Sequence, residues 1–343
     1  MTSNNTTTCS NELVVENISF LFYSPFEKFI QINIVPCLAV FGVLCNLSFL
    51  LVVYRVKQFH NGINVLLVNL AIADIFFLIT DVTNTLSTVI SSPYQRDFSW
   101  SPVDWGCTLV NGAVHLFEAS SLLFIVIISI DRYFAVCRPF QHRLSKHLRT
   151  FLFCAIPWGT AVVLAVFYSL TLEEWDICWE WKYDNATLPT TYSTCEPSQD
   201  TGPFFYVLNV APYVISVCVN GAFYYWILKT LKRSYAVNSQ RSVEARMSAV
   251  KMLVFNWLVY LVCVSPNFVL LFVNVIYDID WLKKVEPICR ALLVINSSVN
   301  PLIYNAFNSR YRKAFVRVFS FRRKTRPSRV SFSGHSSVRT TKV

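Results

Sequence analysis

The sequence predicts an all-α membrane protein, a seven-transmembrane helix bundle with a short interfacial eighth helix. Three observations predict it. Seven apolar blocks are each long enough to cross about 30 Å of hydrocarbon at about 1.5 Å per residue. Only 15% of the residues are charged against 54% hydrophobic, whereas a soluble domain carries about a quarter charged. The charges are also sorted. Every Lys and Arg except Lys28, Arg96, Lys182, Lys283, Lys284 and Arg290 follows span one, three, five or seven, and those segments hold no acids but Asp131 and Glu244.

That sorting fixes orientation. The segments rich in Lys and Arg face the cytoplasm, so the N-terminus is expected outside a plasma membrane and the C-terminus inside. The net charge of +10 then meets an anionic inner leaflet, not nucleic acid. Glycosylation sequons at Asn4, Asn5, Asn17 and Asn185 fall on the predicted outside, whereas those at Asn46 and Asn296 fall within spans. No short apolar run with a small-residue cleavage site precedes span one, so no cleavable signal peptide is expected.

In chain order, residues 1–28 are an Asn/Thr/Ser-rich extracellular segment, expected to be glycosylated and mobile. The bundle occupies 29–306, with spans at about 29–54, 63–90, 105–136, 149–171, 204–231, 247–276 and 285–306. Pro36, Pro157, Pro212, Pro266 and Pro301 can each kink a span by removing a backbone donor. Residues 307–320 set Phe315, Val316 and Phe319 against Arg310, Arg312, Lys313 and Arg317, the pattern of a helix lying in the interface. A Ser/Arg-rich tail, 321–343, reads as disordered and cytoplasmic.

Polar residues inside the spans must face the bundle interior. Asn46, Asp74, Ser121, Asn296, Ser297, Ser298 and Asn300 fit a hydrated cluster that accepts Na⁺ through oxygen ligands, or a purely structural hydrogen-bond cluster. Asp131-Arg132-Tyr133 closes span three. Arg132 there is either functional or an interfacial cation snorkelling to lipid phosphate.

With these residues on the page, the chain resembles a rhodopsin-like (class A) G-protein-coupled receptor over roughly residues 29–320, of the neuropeptide-receptor type. The motifs stand in order: Asn46 after Gly42 in span one, Asn69-Leu70-Ala71-Ile72-Ala73-Asp74 in span two, Asp131-Arg132-Tyr133 and Pro139, Trp158, Pro212, and Asn300-Pro301-Leu302-Ile303-Tyr304 followed by Phe307. The resemblance implies that an outside agonist shifts a two-state bundle, that Arg132 leaves Asp131 to hold a Gα helix, and that Tyr304 swings in to support it. It implies an activation core of Tyr260, Pro266, Asn300 and Pro301, and an allosteric Na⁺ site at Asn46, Asp74, Ser121, Asn296 and Asn300. Coupling of this kind is reciprocal between the two faces.

The chain departs from the family pattern in span six, which reads Cys263-Val264-Ser265-Pro266 without the usual tryptophan. Asn220 and Tyr260 stand where tyrosine and phenylalanine are common. Arg246 stands where an acid often latches Arg132, and like charges there imply agonist-independent signalling. No Cys lies beyond Cys289 for a palmitoyl anchor. The resemblance also implies a disulfide from Cys107 to the second outside loop. That loop offers Cys178 and Cys195, of which Cys195 has the separation from Pro212 more usual in the family. Cys178 would then be left with Cys9, and the remaining cysteines read as packing residues.

At the outer end, Asn111, Val114, His115, Glu118 and Ser121 share a face of span three. Asp81, Asn267 and Arg290 are the further candidate ligand residues. Glu118 has two readings, an ion pair with Arg290 (which could equally pair with Asp81) or a counter-ion for a cationic ligand. Val114 replaces the aspartate of amine receptors, and Val294 the retinal lysine of opsins, so neither a monoamine nor retinal is expected. The acidic, Trp-rich loop 172–202 would steer a basic peptide.

The sequence therefore points to a receptor for an extracellular basic peptide that activates heterotrimeric G proteins. Its tail serines, Ser328 and Ser331 among them, would recruit arrestin-type partners once phosphorylated. The alternative ligand is a lipid or other small non-amine. A cation transporter or channel is the remote alternative, because no repeat or acidic ring surrounds Asp74, Asp81 and Glu118. No nucleophile stands with a base and an orienting group, so an enzyme is not expected, and no cofactor beyond Na⁺ is.

Overall fold

The structure, a computed structural model, describes residues 12–15, 22–95, 97–101, 105–143, 146–181, 191–198, 200–234, 240–276 and 284–320. Span one is Pro25–Arg55, span two Gly62–Ser91, span three Gly106–Cys137, span four Lys146–Ser169, span five Gly202–Ser234, span six Gln240–Ile276 and span seven Glu286–Phe307. A loop helix, Pro139–Arg143, follows span three, and a terminal helix, Ser309–Phe319, follows span seven.

Local chemistry sets the ends. Span one starts at Pro25 because Ser24 and Glu27 form a reciprocal capping box and proline suits the first helical position. It loosens into a π turn at Ile30–Ile34 just before Pro36, which cannot donate. The Asn61 side chain caps span two by accepting from the Asn64 N–H.

Six spans are long and apolar enough to cross a membrane by length and composition. Span seven is of similar length but carries Arg290, Asn296, Ser297, Ser298, Asn300 and Asn305, which lower its hydropathy. Most of these are buried, so they are shielded from lipid by the neighbouring spans. Burial is inverted relative to a soluble protein. Val40, Leu44, Ile215 and Val262 face outward, while Asn46, Asp74, Ser216 and Asn220 are fully buried. This is a multi-pass membrane protein.

Spans one and seven meet closely at Gly42. A Cβ there would lie 2.1 Å from Ser298 Oγ and 2.8 Å from both Ser298 Cβ and Leu78 Cδ1. Gly42→Val should therefore force the helices apart and destabilise the protein by about 1–3 kcal/mol, read as a lower melting temperature in detergent or nanodiscs.

A small sheet covers the end of the bundle opposite Asp131. Its order is β1 (Glu12–Val15), β2 (Leu172–Trp181), β3 (Thr191–Pro197), with β1 parallel to β2 and β2 antiparallel to β3. The disulfide Cys107–Cys195 ties β3 to span three. The Phe98 N–H donates to the Ser193 carbonyl, which ties β3 to the loop after span two. Four residues of the segment before span one, Glu12–Val15, pair with β2. These four residues add a strand to the sheet edge, which their Val14-Val15 pair favours.

At the other end the terminal helix is seated by Tyr311. Its ring stacks on Phe59 at 4.8 Å and 2°, and its hydroxyl donates to Asn64 Oδ1. Burial raises the phenol above its ordinary pKa, so it remains a donor. Val316 and Phe319 stay exposed on the same helix, as an interfacial helix requires.

Candidate functional site

The candidate residues occupy three levels along spans two, three, six and seven. At the upper level Arg290 chooses between its two possible acids. Its Nη1 donates to Asp81 Oδ1 at 2.9 Å and to Thr85 Oγ1 at 2.7 Å, and its Nη2 lies 3.6 Å from Glu286, one turn back. The ion pair with span two is therefore Asp81–Arg290. Glu118 has no hydrogen-bond or ion-pair partner among the described residues.

Glu118 instead lines a small, partly open cavity with Ser121, Asn296, Ser297 and Tyr260. Its apolar walls are Phe77, Leu122, Val264, Phe268 and Leu293. Val264 is where the family's tryptophan would stand, and the smaller side chain leaves more room beside Glu118. His115 is buried one turn above Glu118 and stacks on Tyr168 at 4.3 Å and 9°. Asn111 donates to the Cys107 carbonyl at 3.0 Å and reaches the Cys195 sulfur at 3.3 Å, so it braces the disulfide. Asn267 is half-buried on span six.

The middle level is a polar cluster. Ser121 Oγ donates to Asp74 Oδ1 and Asn300 Nδ2 to Asp74 Oδ2, each at 2.7 Å. Asn46 Nδ2 bridges to the Gly42 and Ser297 carbonyls at 3.0 and 2.9 Å, and its Oδ1 is buried without a partner. Asn296 lies beside this cluster in the cavity wall. A carboxylate, a hydroxyl and an orphaned amide oxygen are hard oxygen donors, so the residues fit Na⁺. Among the described residues no group of three or more His, Cys, Asp or Glu could hold a metal ion.

The lower level surrounds Asp131, which is nearly buried. Arg132 Nη2 donates to Oδ2 at 2.5 Å, while His142 Nε2 lies 3.2 Å and Arg149 Nε 3.8 Å from Oδ1. Arg132 Nε is buried and unpartnered. Tyr133 packs on Phe223 at 5.1 Å, and Tyr304 is buried against Phe49 at 5.3 Å. Pro266 and Pro301 lie within spans six and seven.

Thr85, His142 and Arg149 join these sites without having been expected from the sequence. Thr85 lies one turn beyond Asp81 on the same face of span two, a spacing that was available. His142 and Arg149 reach Asp131 only through the turn after span three, which no periodicity announces. Asn4, Asn5, Asn17, Asn185 and Cys9 lie outside the described residues. So do the side chains of Arg246, Cys178 and most of the acidic loop.

Comparison with known proteins agrees with this layout. Residues 45–304 match the family of 7 transmembrane receptors (rhodopsin family). Sphingosine 1-phosphate receptor 3 of Takifugu rubripes is 26% identical over 80% of this chain and 67% of its own. The type-1 angiotensin II receptor B of Xenopus laevis is 24% identical over 85% and 80%. Neuromedin-U receptor 2 of Mus musculus is 24% identical over 82% and 73%. The matched stretch runs from the first span to the Tyr304 motif and contains all three levels of the site, and the chain belongs to the rhodopsin family of G-protein-coupled receptors.

Proposed function

We propose that this receptor binds an extracellular basic peptide in the cavity beneath the sheet, through Glu118, and passes the signal to its G protein through Arg132. The observation that carries this is Glu118 in the cavity wall, without a hydrogen-bond or ion-pair partner among the described residues, near an Arg290 already held by Asp81. An unpaired carboxylate inside a bundle is costly unless a ligand supplies the charge. Relatives named for angiotensin II and neuromedin-U support a peptide, and the relative named for sphingosine 1-phosphate supports a lipid. The apolar walls Phe77, Leu122, Phe268 and Leu293 favour the lipid as the second reading. Screening a basic-peptide library with Gα-subtype biosensors tests the choice. The proposal expects at least one Arg- or Lys-containing agonist, and a chain answering only to lipids would overturn it.

In this reading the sheet faces outside at the plasma membrane, with residues 1–28 glycosylated at Asn4, Asn5, Asn17 or Asn185. Residues 29–306 are the bundle, 307–320 the interfacial helix and 321–343 the cytoplasmic tail, which engages arrestin-type partners after phosphorylation. Signalling without agonist follows from Arg246 in place of an acid. Asp74, Ser121 and Asn300, with Asn46 and Asn296 beside them, would hold Na⁺ in the resting state, and the bound ion would supply positive charge beside the Asp74 carboxylate. Asp74→Asn should abolish Na⁺ sensitivity of agonist binding. In the parent receptor, raising NaCl against a choline control should weaken binding about threefold to tenfold.

A further inference from the structure

The cavity that Glu118 lines brings oxygen atoms from three spans together with aromatic rings. Span three supplies Glu118 and Ser121, span six the Tyr260 hydroxyl, and span seven Asn296 and Ser297. Phe77, Tyr260 and Phe268 supply the rings. Counting protons shows which way these oxygens work. Ser121 Oγ gives its hydrogen to Asp74 Oδ1 at 2.7 Å, so toward the cavity it can only accept. The Glu118 carboxylate accepts only, and Asn296 offers an amide oxygen. The Tyr260 hydroxyl is buried without a partner among the described residues. No Lys, Arg or His lines the cavity among those residues.

A guanidinium suits both parts of this wall. It is planar and weakly hydrated, it directs its N–H donors outward from its edge, and it stacks on aromatic faces. Acceptors on three different spans can each take one of those donors. An ammonium is a compact, strongly hydrated charge with three donors, and it must shed that shell to lie against Phe77 and Phe268. The room beside Glu118 depends on a further residue. Val264 is buried and lines the same cavity, which is small enough that an indole at this position would take up the space its isopropyl group leaves.

We propose that the cavity selects a guanidinium over an ammonium as the ligand's cation, with Glu118, Ser121 and Asn296 taking its donors, Phe77 and Phe268 its faces, and Val264 as the residue that admits it. This rests on the reading of Glu118 as the ligand's counter-ion, and different variants test the two.

The probes are propylguanidinium, butylammonium of similar reach, and neutral propylurea. Each is titrated to about 30 mM against full-length receptor in nanodiscs, with ionic strength held by KCl, and the melting temperature is followed. Propylguanidinium should stabilise the wild type with a half-saturating concentration at least about tenfold below that of butylammonium, and propylurea should do nothing. Val264→Trp should abolish the propylguanidinium shift. If that variant is not recovered folded, Val264→Phe takes its place and should raise the half-saturating concentration at least about threefold. Glu118→Gln should also abolish the shift, and an undiminished shift there would sink the underlying reading together with the proposal. A shift lost in Glu118→Gln but undiminished in the Val264 variant would overturn the role of Val264 alone. Equal half-saturation by the two cations, or no wild-type shift with propylguanidinium, would overturn the selection of a guanidinium.

Discussion

Glu118→Gln should lower the potency of a basic peptide agonist by about 30-fold to 5000-fold while leaving the receptor folded and able to couple. The magnitude follows from truncating one partner of a buried charge pair, which typically costs about 2–5 kcal/mol in binding. Stability should change little, because Glu118 makes no hydrogen bond or ion pair among the described residues and the amide is isosteric. It should rise slightly if it changes, since an uncompensated charge leaves the interior. Concentration–response curves with cell-surface expression as the control check this. A shift below about threefold would assign the peptide's cation elsewhere.

Arg290→Met should have the larger effect on the protein itself. It strands the buried Asp81 carboxylate, one oxygen of which already lacks a partner. Breaking such a pair costs about 3–5 kcal/mol. The double variant Asp81→Asn/Arg290→Met should recover most of that loss, because neither charge is then left alone. Melting temperatures of the four proteins in detergent close the cycle. Additive losses would mean that Arg290 stabilises the bundle through Thr85 and Glu286 and not through Asp81.

The two experiments separate acids that look alike in the sequence. Asp81 and Glu118 are both carboxylates within spans, and Arg290 is a cation that either could have satisfied. Nothing in spacing decides between them, since the choice depends on the relative rotation of spans two, three and seven. The structure pairs Arg290 with Asp81 and leaves Glu118 at the cavity. The structural pair is thereby Asp81–Arg290, and the ligand role proposed for Glu118 falls on a different residue.

Legibility followed the same division. The spans, the Asp74–Ser121–Asn300 cluster and the Cys107–Cys195 bond could be anticipated, because apolar length, intramembrane polarity and ordered motifs each act along the chain. The strand Glu12–Val15 could not, because its pairing partner lies in the loop after span four, far along the chain. The seat of Tyr311 between Phe59 and Asn64 was equally hidden, since a tyrosine on an amphipathic helix reads as interfacial until its partners are known. His142 beside Asp131 belongs to this group. It bears on the question raised by Arg246, because Asp131 is shared among Arg132, His142 and Arg149 and the resting hold on Arg132 is correspondingly divided.

The central claim is that a ligand cation meets Glu118. It is tested most directly by a double cycle between receptor and agonist, using the peptide found by screening. Potency is measured for wild type and Glu118→Gln, each against the peptide with its basic side chain intact and with that side chain replaced by a neutral isostere. If the two groups meet, either change alone should cost about as much as both together, leaving a coupling of about 2 kcal/mol or more. Losses that simply add, with no coupling beyond about 0.5 kcal/mol, would contradict the claim.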